Sequence, residues 1–398
     1  MAPQPPKPQP KPKPKPKLKP RPKAIRPKQF VWAYPEQPPY EGESTPLRSA
    51  PAVDSTGRVF LHAQGRLVAL EEQDGAMKVC WEYVTSSRAP SPPVMAPDGS
   101  LRLHCSDGSL HCVSFEGKQI YAPTTVGEPL GWAAPIADAD GNTWISGYDG
   151  GLLKINADGR LQTSPYFRSR QKFNSGGILH DDVLYIGSED GCVFAIRMGE
   201  NKGTNLWNHA AGLGTTGWYI HSSPAMTDDG TLVVAGRDEH LYGFVAKGKE
   251  AWKSTMPGQL LASPVIDRHG QIYVGISLSK RGEKPRGTLL CIDGNSHKPR
   301  WEYEAAGLVE STPVIGDDDV IYFGDNAGTI HAVDFEGKAK WTAQVETAVR
   351  SAGTIIGPGR VAFGLDNETL VALQCDSKGL AKEGWPKIGK TLGQCGLC

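Results

Sequence analysis

The sequence has no apolar run approaching the roughly 18–20 residues that a membrane-spanning helix needs, so no membrane span is expected. Its first stretch lacks the apolar core of an export signal, and the chain is expected to stay in the cytoplasm. Helical periodicity is almost absent, which leaves β-strands to bury the apolar residues. There is no Gly-x-Ser-x-Gly elbow and no His-Glu-x-x-His pair, so the common hydrolase and metalloprotease signatures are missing. Neither sign of charge is in excess, with 43 Lys and Arg against 43 Asp and Glu. The cysteines number eight and no two are adjacent. Most fall in strand-like runs, where a reduced thiol behaves as a small apolar filler.

What is present is repetition. Eight copies align on Pro51, Pro93, Pro135, Gly177, Pro224, Pro264, Pro313 and Thr354, at spacings of 42, 42, 42, 47, 40, 49 and 41 residues. Each copy opens with a small-residue step such as Ser222-Ser223-Pro224 or Ser311-Thr312-Pro313. Strand-like runs follow, as in Val320-Ile321-Tyr322-Phe323-Gly324 and Thr329-Ile330-His331-Ala332-Val333, separated by Gly-containing turns. A period of about 40–45 residues with several short strands marks a propeller blade. One blade alone cannot cover its two apolar faces, whereas ringed blades cover each other. The expected fold is all-β: an eight-bladed β-propeller of four-stranded antiparallel blades.

Copies end on an aromatic, at Trp81, Tyr121, Trp207, Trp252, Trp301, Trp341 and Trp385; copy three has Gln162 there. Each is read as an apolar wedge between neighbouring blades, its indole N–H finding a local partner. A further Trp strand, Phe30-Val31-Trp32-Ala33-Tyr34, precedes the first copy and is assigned to close the ring by completing the last blade. Gly384-Trp385-Pro386 competes for that place, but Pro386 has no N–H to give a ladder.

The charge balance hides a polarity. Residues 1–29 hold eight Lys, two Arg, eleven Pro and no acid, leaving 33 basic and 43 acidic side chains beyond them. Alternating Lys and Pro suit neither helix nor core, and predict a disordered, extended arm. The expected organisation is an arm over 1–29, a propeller over 30–388 and a flexible tail over 389–398 that carries Cys395-Gly396-Leu397-Cys398. The arm is either a solvated spacer or a basic limb for an acidic partner or a polyanion, nucleic acid included.

The order of small step, apolar strand, Gly-rich turn, Ala-Val/Leu/Ile strand and terminal Trp resembles the repeat of the pyrroloquinoline-quinone-like (PQQ-like) propeller superfamily. Val68-Ala69-Leu70, Phe194-Ala195-Ile196, Leu290-Cys291-Ile292-Asp293, His331-Ala332-Val333-Asp334 and Val371-Ala372-Leu373 match its third-strand motif. The resemblance covers nearly all of residues 30–388. It implies either a quinone-dependent dehydrogenase or a cofactor-free scaffold or sensor. The dehydrogenases carry adjacent cysteines beside the quinone, long insertions with a calcium-binding Glu/Asn/Asp set and a catalytic Asp, and an export signal. This chain has near-minimal repeats and no adjacent cysteines, so the scaffold members are the better match and no cofactor is expected, with PQQ and calcium as the alternative.

Other patterns lack their context. Gly384-Trp385-Pro386-Lys387-Ile388-Gly389-Lys390-Thr391 fits a phosphate-loop string, but only seven residues follow it, too few for the helix that such a loop needs. Gly212-Leu213-Gly214-Thr215-Thr216-Gly217 fits a dinucleotide fingerprint without a following helix, and reads as an extended inter-blade loop. Taking Asp107-Gly108 as the two central residues of a turn places His104 opposite His111 on one hairpin face, with Cys105 and Cys112 on the other. Two His do not make a structural zinc site.

Propellers bind at the axial mouth, so the residues before each opening step are the candidate ligand-binding set: Arg48, Arg88, Trp132, Phe173, His221, Glu310 and Arg350, joined by Trp218 and Tyr219. Arg350, Arg48 and Arg88 come from neighbouring blades of a closed ring and would form a basic arc for an acidic peptide or another anionic ligand. The expected function is a non-catalytic scaffold for a protein partner. The alternatives are an enzyme at the mouth, of the quinoprotein or another type, and nucleic-acid association through the arm.

Overall fold

A computed structural model describes residues 28–35, 47, 50–63, 65–89, 91–126, 133–147, 149–162, 165–210, 220–278 and 285–387. The Lys/Pro-rich stretch up to residue 27, the Gly212–Gly217 loop and the C-terminal Cys pair lie outside these residues. Eight antiparallel sheets form a ring, each built from strands a to d. Blade 7 is typical: Val314–Ile315, Val320–Gly324, Thr329–Asp334 and Ala339–Gln344. The innermost strands start at or one residue after the expected alignment points, as at Ala52–Val53, Val94–Met95, Val265–Ile266 and Thr354–Gly357. Blade 6 adds a short strand, Gln259–Leu260.

The ring closes as the N-terminal Trp strand suggested. Phe30–Tyr34 pairs antiparallel with Leu370–Gln374, so blade 8 takes three strands from the end of the repeat and one from its start. Apolar clusters fill the gaps between blades. One joins Phe60, Leu67 and Ala69 of blade 1 to Leu101, Leu103 and Val113 of blade 2. Another crosses the closure, joining Trp32, Ala362 and Ala372 to Val53, Val59 and Leu61.

The terminal tryptophans follow one rule. Trp81 pairs across its sheet with Ala69, Trp207 with Ala195, Trp301 with Cys291 and Trp32 with Ala372, each beside a β-bulge. A bulge turns the strand locally and re-aims the side chain, here toward the next blade. Trp81 Nε1 donates to Phe115 O at 3.0 Å, Trp207 Nε1 to Ala246 O at 2.8 Å and Trp301 Nε1 to Phe335 O at 2.9 Å. Two residues past each carbonyl sits a glycine, at 117, 248 and 337, with φ near +80°. A Cβ on Gly117 would stand 2.6 Å from the Trp81 ring, so both the turn and the ring's approach require glycine. Trp32, not Trp385, holds the blade 8 position of this series.

Blade 3 lacks the wedge at Gln162, and Tyr166 replaces it. Tyr166 is buried against Trp144 and donates to Gly199 O at 2.5 Å. Burial first pushes its hydroxyl up to about 12.

The small-residue steps clasp neighbouring blades near the axis. Ser223 N donates to Ser263 Oγ at 2.9 Å, and Ser263 N to Thr312 Oγ1 at 3.0 Å. Ser311 Oγ donates to Ser351 O at 2.6 Å. These hydroxyls satisfy buried backbone groups where strands converge too closely for larger residues.

The hairpin around Asp107-Gly108 has a different register from the expected one. His104 pairs with Leu110, and His111 with Leu103, which puts the two His on opposite faces. The loop holds three residues, closed by Cys105 N to Ser109 O at 2.8 Å, with Gly108 at φ +85°. A three-residue loop with a left-handed final glycine shifts the register by one relative to a two-residue turn.

Candidate functional site

The ring has two faces. The entry face carries the loops leading into each innermost strand and the turns between strands b and c. Backbone bonds join these two sets, as from Asn326 N to Leu308 O and from Ser106 N to Arg88 O. The exit face carries the a–b and c–d turns.

Of the mouth residues proposed from sequence, Glu310 and Arg350 are brought together. Arg350 Nε stands 3.3 Å from Glu310 Oε2, and its guanidinium also meets Asp366. Asn326 Nδ2 donates to the other oxygen of Glu310 at 2.7 Å. Arg350 is therefore engaged with two carboxylates of its own ring. Arg88 is exposed on the same face, and no carboxylate among the described residues pairs with it. His221 is solvent-accessible yet crowded. Desolvation, then the charges of Arg237 and Lys172, hold its imidazole down to about 4, so it is neutral near pH 7. Phe173, expected at the mouth, is instead fully buried, edge-on to Phe194 at 5.6 Å between ring centroids. Its aromatic bulk fills the gap between blades 3 and 4 and leaves no surface for a ligand. Arg48, Trp132, Trp218 and Tyr219 lie outside the described residues.

The entry face alternates charge, with Arg350 against Glu310 and Asp366, and Lys172 Nζ 3.3 Å from Glu189 Oε1. Such a rim can match a polar, charged partner surface.

Two polar contacts between blades escaped sequence reasoning. The Trp-Glu-Tyr triplet occurs at 81–83 and 301–303. Tyr83 OH lies 3.1 Å from His111 Nδ1, and Tyr303 OH 3.2 Å from His331 Nδ1, each His on the next blade. His331 Nε2 in turn meets Asp325 Oδ2 at 3.1 Å. Burial opposes the Asp325 charge, but hydrogen bonds from His331, Thr329 and Gly307 outweigh it and keep the carboxyl below its usual range. The shared triplet and a His 28 residues after each Tyr were the available signal.

On the exit face, the residues after blade 8 run back along the inner edges of blades 7 and 6. Trp385 N donates to Ile266 O at 2.7 Å, and Ile266 N returns a bond to Trp385 O at 2.8 Å. Ile315 N donates to Pro386 O at 2.9 Å, and Ala381 N to Ile315 O at 3.1 Å. Lys387 is wholly buried, with Nζ against Thr354 Oγ1. Burial drives its amine down to about 7. This segment lines the inner edges of blades 6, 7 and 8 at the exit face with the chain's own residues.

Among the described residues no three His, Cys, Asp or Glu side chains converge as a metal-ligand set. The described cysteines, Cys80, Cys105, Cys112, Cys192, Cys291 and Cys375, are dispersed over the ring and all are free.

A family model described as outer membrane protein assembly factor BamB matches residues 196–277 and 272–381. The outer membrane protein assembly factor BamB of Yersinia pestis is 25% identical over 174 residues, which are 40% of this chain and 41% of that protein. The chain thus aligns with less than half the length of this curated relative. The crystal structure of BamB from Moraxella catarrhalis superposes with a TM-score of 0.68 at 14% identity, covering 87% of this chain and 99% of that one. Sqt1 of Saccharomyces cerevisiae gives 0.69 at 12% identity, covering 84% and 97%. At these identities the solved structures share the fold.

Proposed function

Because the chain is a member of the PQQ-like repeat β-propeller superfamily, we propose that it serves as a non-catalytic platform for a protein partner. The observation that carries this is the match of residues 196–381 to a family described as an assembly factor. The partner is engaged on the entry face, where Arg88 is exposed and Glu310 and Arg350 are part-exposed. Arg88, His221, Glu310 and Arg350 contribute to the contact, with Arg48, Trp132, Trp218 and Tyr219 completing the rim. The mixed charges of this rim favour a partner segment carrying acids opposite Arg88 and Arg48. The basic stretch 1–29 extends the reach toward acidic surfaces of the same partner.

The test is cross-linking and affinity capture from the native cell with the full chain. It is compared with Arg48→Glu/Arg88→Glu/Arg350→Glu and with a chain whose Lys11, Lys13, Lys15 and Lys17 are replaced by Gln. The triple change is expected to lose the partner, and the arm changes to weaken capture in a salt-dependent way. Undiminished capture by the triple variant would sink the entry-face reading.

A further inference from the structure

We propose that the exit-face mouth is a binding site for an extended peptide of a partner protein, occupied in this structure by the chain's own Gly384–Lys387. The site is made of the inner edges of blades 6 and 7. Each innermost strand has one edge paired with its own blade and another turned to the axis. A free strand edge is a template for an added strand. Gly384–Lys387 uses it so, exchanging both backbone bonds with Ile266 and accepting from Ile315 N through Pro386 O.

Side chains supply the selectivity. Trp385 is 1% exposed and belongs to the apolar cluster that includes Leu260, Ile266 and Ile276. Gly384 has φ +76°, and a Cβ there would lie 2.5 Å from Ile266 O, so only glycine lets the backbone come this close. Pro386 needs no donor, because its contact is through its carbonyl. Lys387 buries its stem and sets its amine against Thr354 Oγ1 on blade 8. The ligand that fits has the order Gly–aromatic–Pro–basic. The occupant belongs to no blade, and Lys382 and Glu383, which lead into it, are exposed. It is therefore tethered as an intramolecular ligand at high effective concentration. The inference does not depend on the entry-face reading.

The experiment uses the full chain with a protease recognition sequence inserted between Lys382 and Glu383. The probe is a fluorescent peptide of residues 383–392. The uncut ring should refuse it. After cutting and dilution the ring should take it up, and the same peptide with Trp385→Ala should bind at least tenfold more weakly. As a second variant, uncut Trp385→Ala should accept the wild-type peptide. Its Ile266 and Ile315 amides should exchange faster with solvent, while the remaining blades keep their protection. The proposal is overturned if the cut ring rejects the peptide, or exchanges it only with other copies of the chain. It is equally overturned if releasing the segment unfolds the ring.

Discussion

Arg360 in the eighth blade and Glu72 in the first form an ion pair of 3.1 Å across the gap where the ring closes. The same carboxylate accepts from Trp32 Nε1 at 3.2 Å, so three elements distant in the chain meet on one side chain. The ion pair is part-exposed and is worth no more than about 1 kcal/mol. Trp32 is 4% exposed and fills the gap itself. Trp32→Ala is expected to cost about 3 kcal/mol, and Arg360→Ala under about 1 kcal/mol. Urea unfolding measures both, and similar costs would mean that closure does not rest on the indole.

Gly337→Ala should destabilise the ring by about 2 kcal/mol, since the position combines positive φ with a tight contact. Its φ is +82°, and an added Cβ would lie 2.8 Å from the Trp301 ring. Trp301 should be displaced, with a red-shifted fluorescence in the folded state. Gly230, also at positive φ but with open space around it, is the control and should cost less when changed to Ala.

Lys387 makes stability depend on alkaline pH. The folded ring holds its amine at about 7, against 10.5 in the unfolded chain, so between these values the unfolded chain binds more protons. Stability should therefore rise with pH across this window, by an amount on the order of 4 kcal/mol for a shift of this size. Lys387→Met should flatten the rise and stabilise the protein at pH 7. Denaturant midpoints at pH 7, 8.5 and 10 check this; an unchanged slope in the variant would assign the effect elsewhere.

His62 acts at the acid end. Desolvation, then the neighbouring His111, holds its ring down to about 4 from 6.5, with Nε2 2.9 Å from Thr85 Oγ1. The unfolded chain takes up the proton first, so stability should fall as pH drops from 6.5 toward 4, by about 3 kcal/mol from this group. His62→Gln should blunt the fall in thermal melts taken between pH 7 and 4, while an identical acid limb would acquit His62.

The blade count, the strand order and the role of Trp32 were legible because each repeats or completes a pattern in one dimension. The tryptophan lock was half legible. The wedge was visible, but the glycine it rests on belongs to the next copy, and spacing alone does not pair the two. The His104–His111 register was missed because an Asp-Gly pair serves two-residue and three-residue loops alike. Phe173 was misplaced because position before a step fixes the loop and not the direction of the side chain. The exit-face segment was invisible as such. Gly384-Trp385-Pro386 looked like one more outer strand, and only the three-dimensional ring shows that Phe30–Tyr34 had already filled that place.

Blade 8 is built from both ends of the repeat, and this orders events during synthesis. Phe30–Tyr34 leaves the ribosome before every full blade of the ring and must wait, unpaired, until Leu370–Gln374 emerges. Blades 1 to 7 can stack as they are made, but the circle stays a crescent until the last repeat has emerged. A nascent crescent shows apolar flanks at both tips, so this interval is when the chain most needs protection from its neighbours.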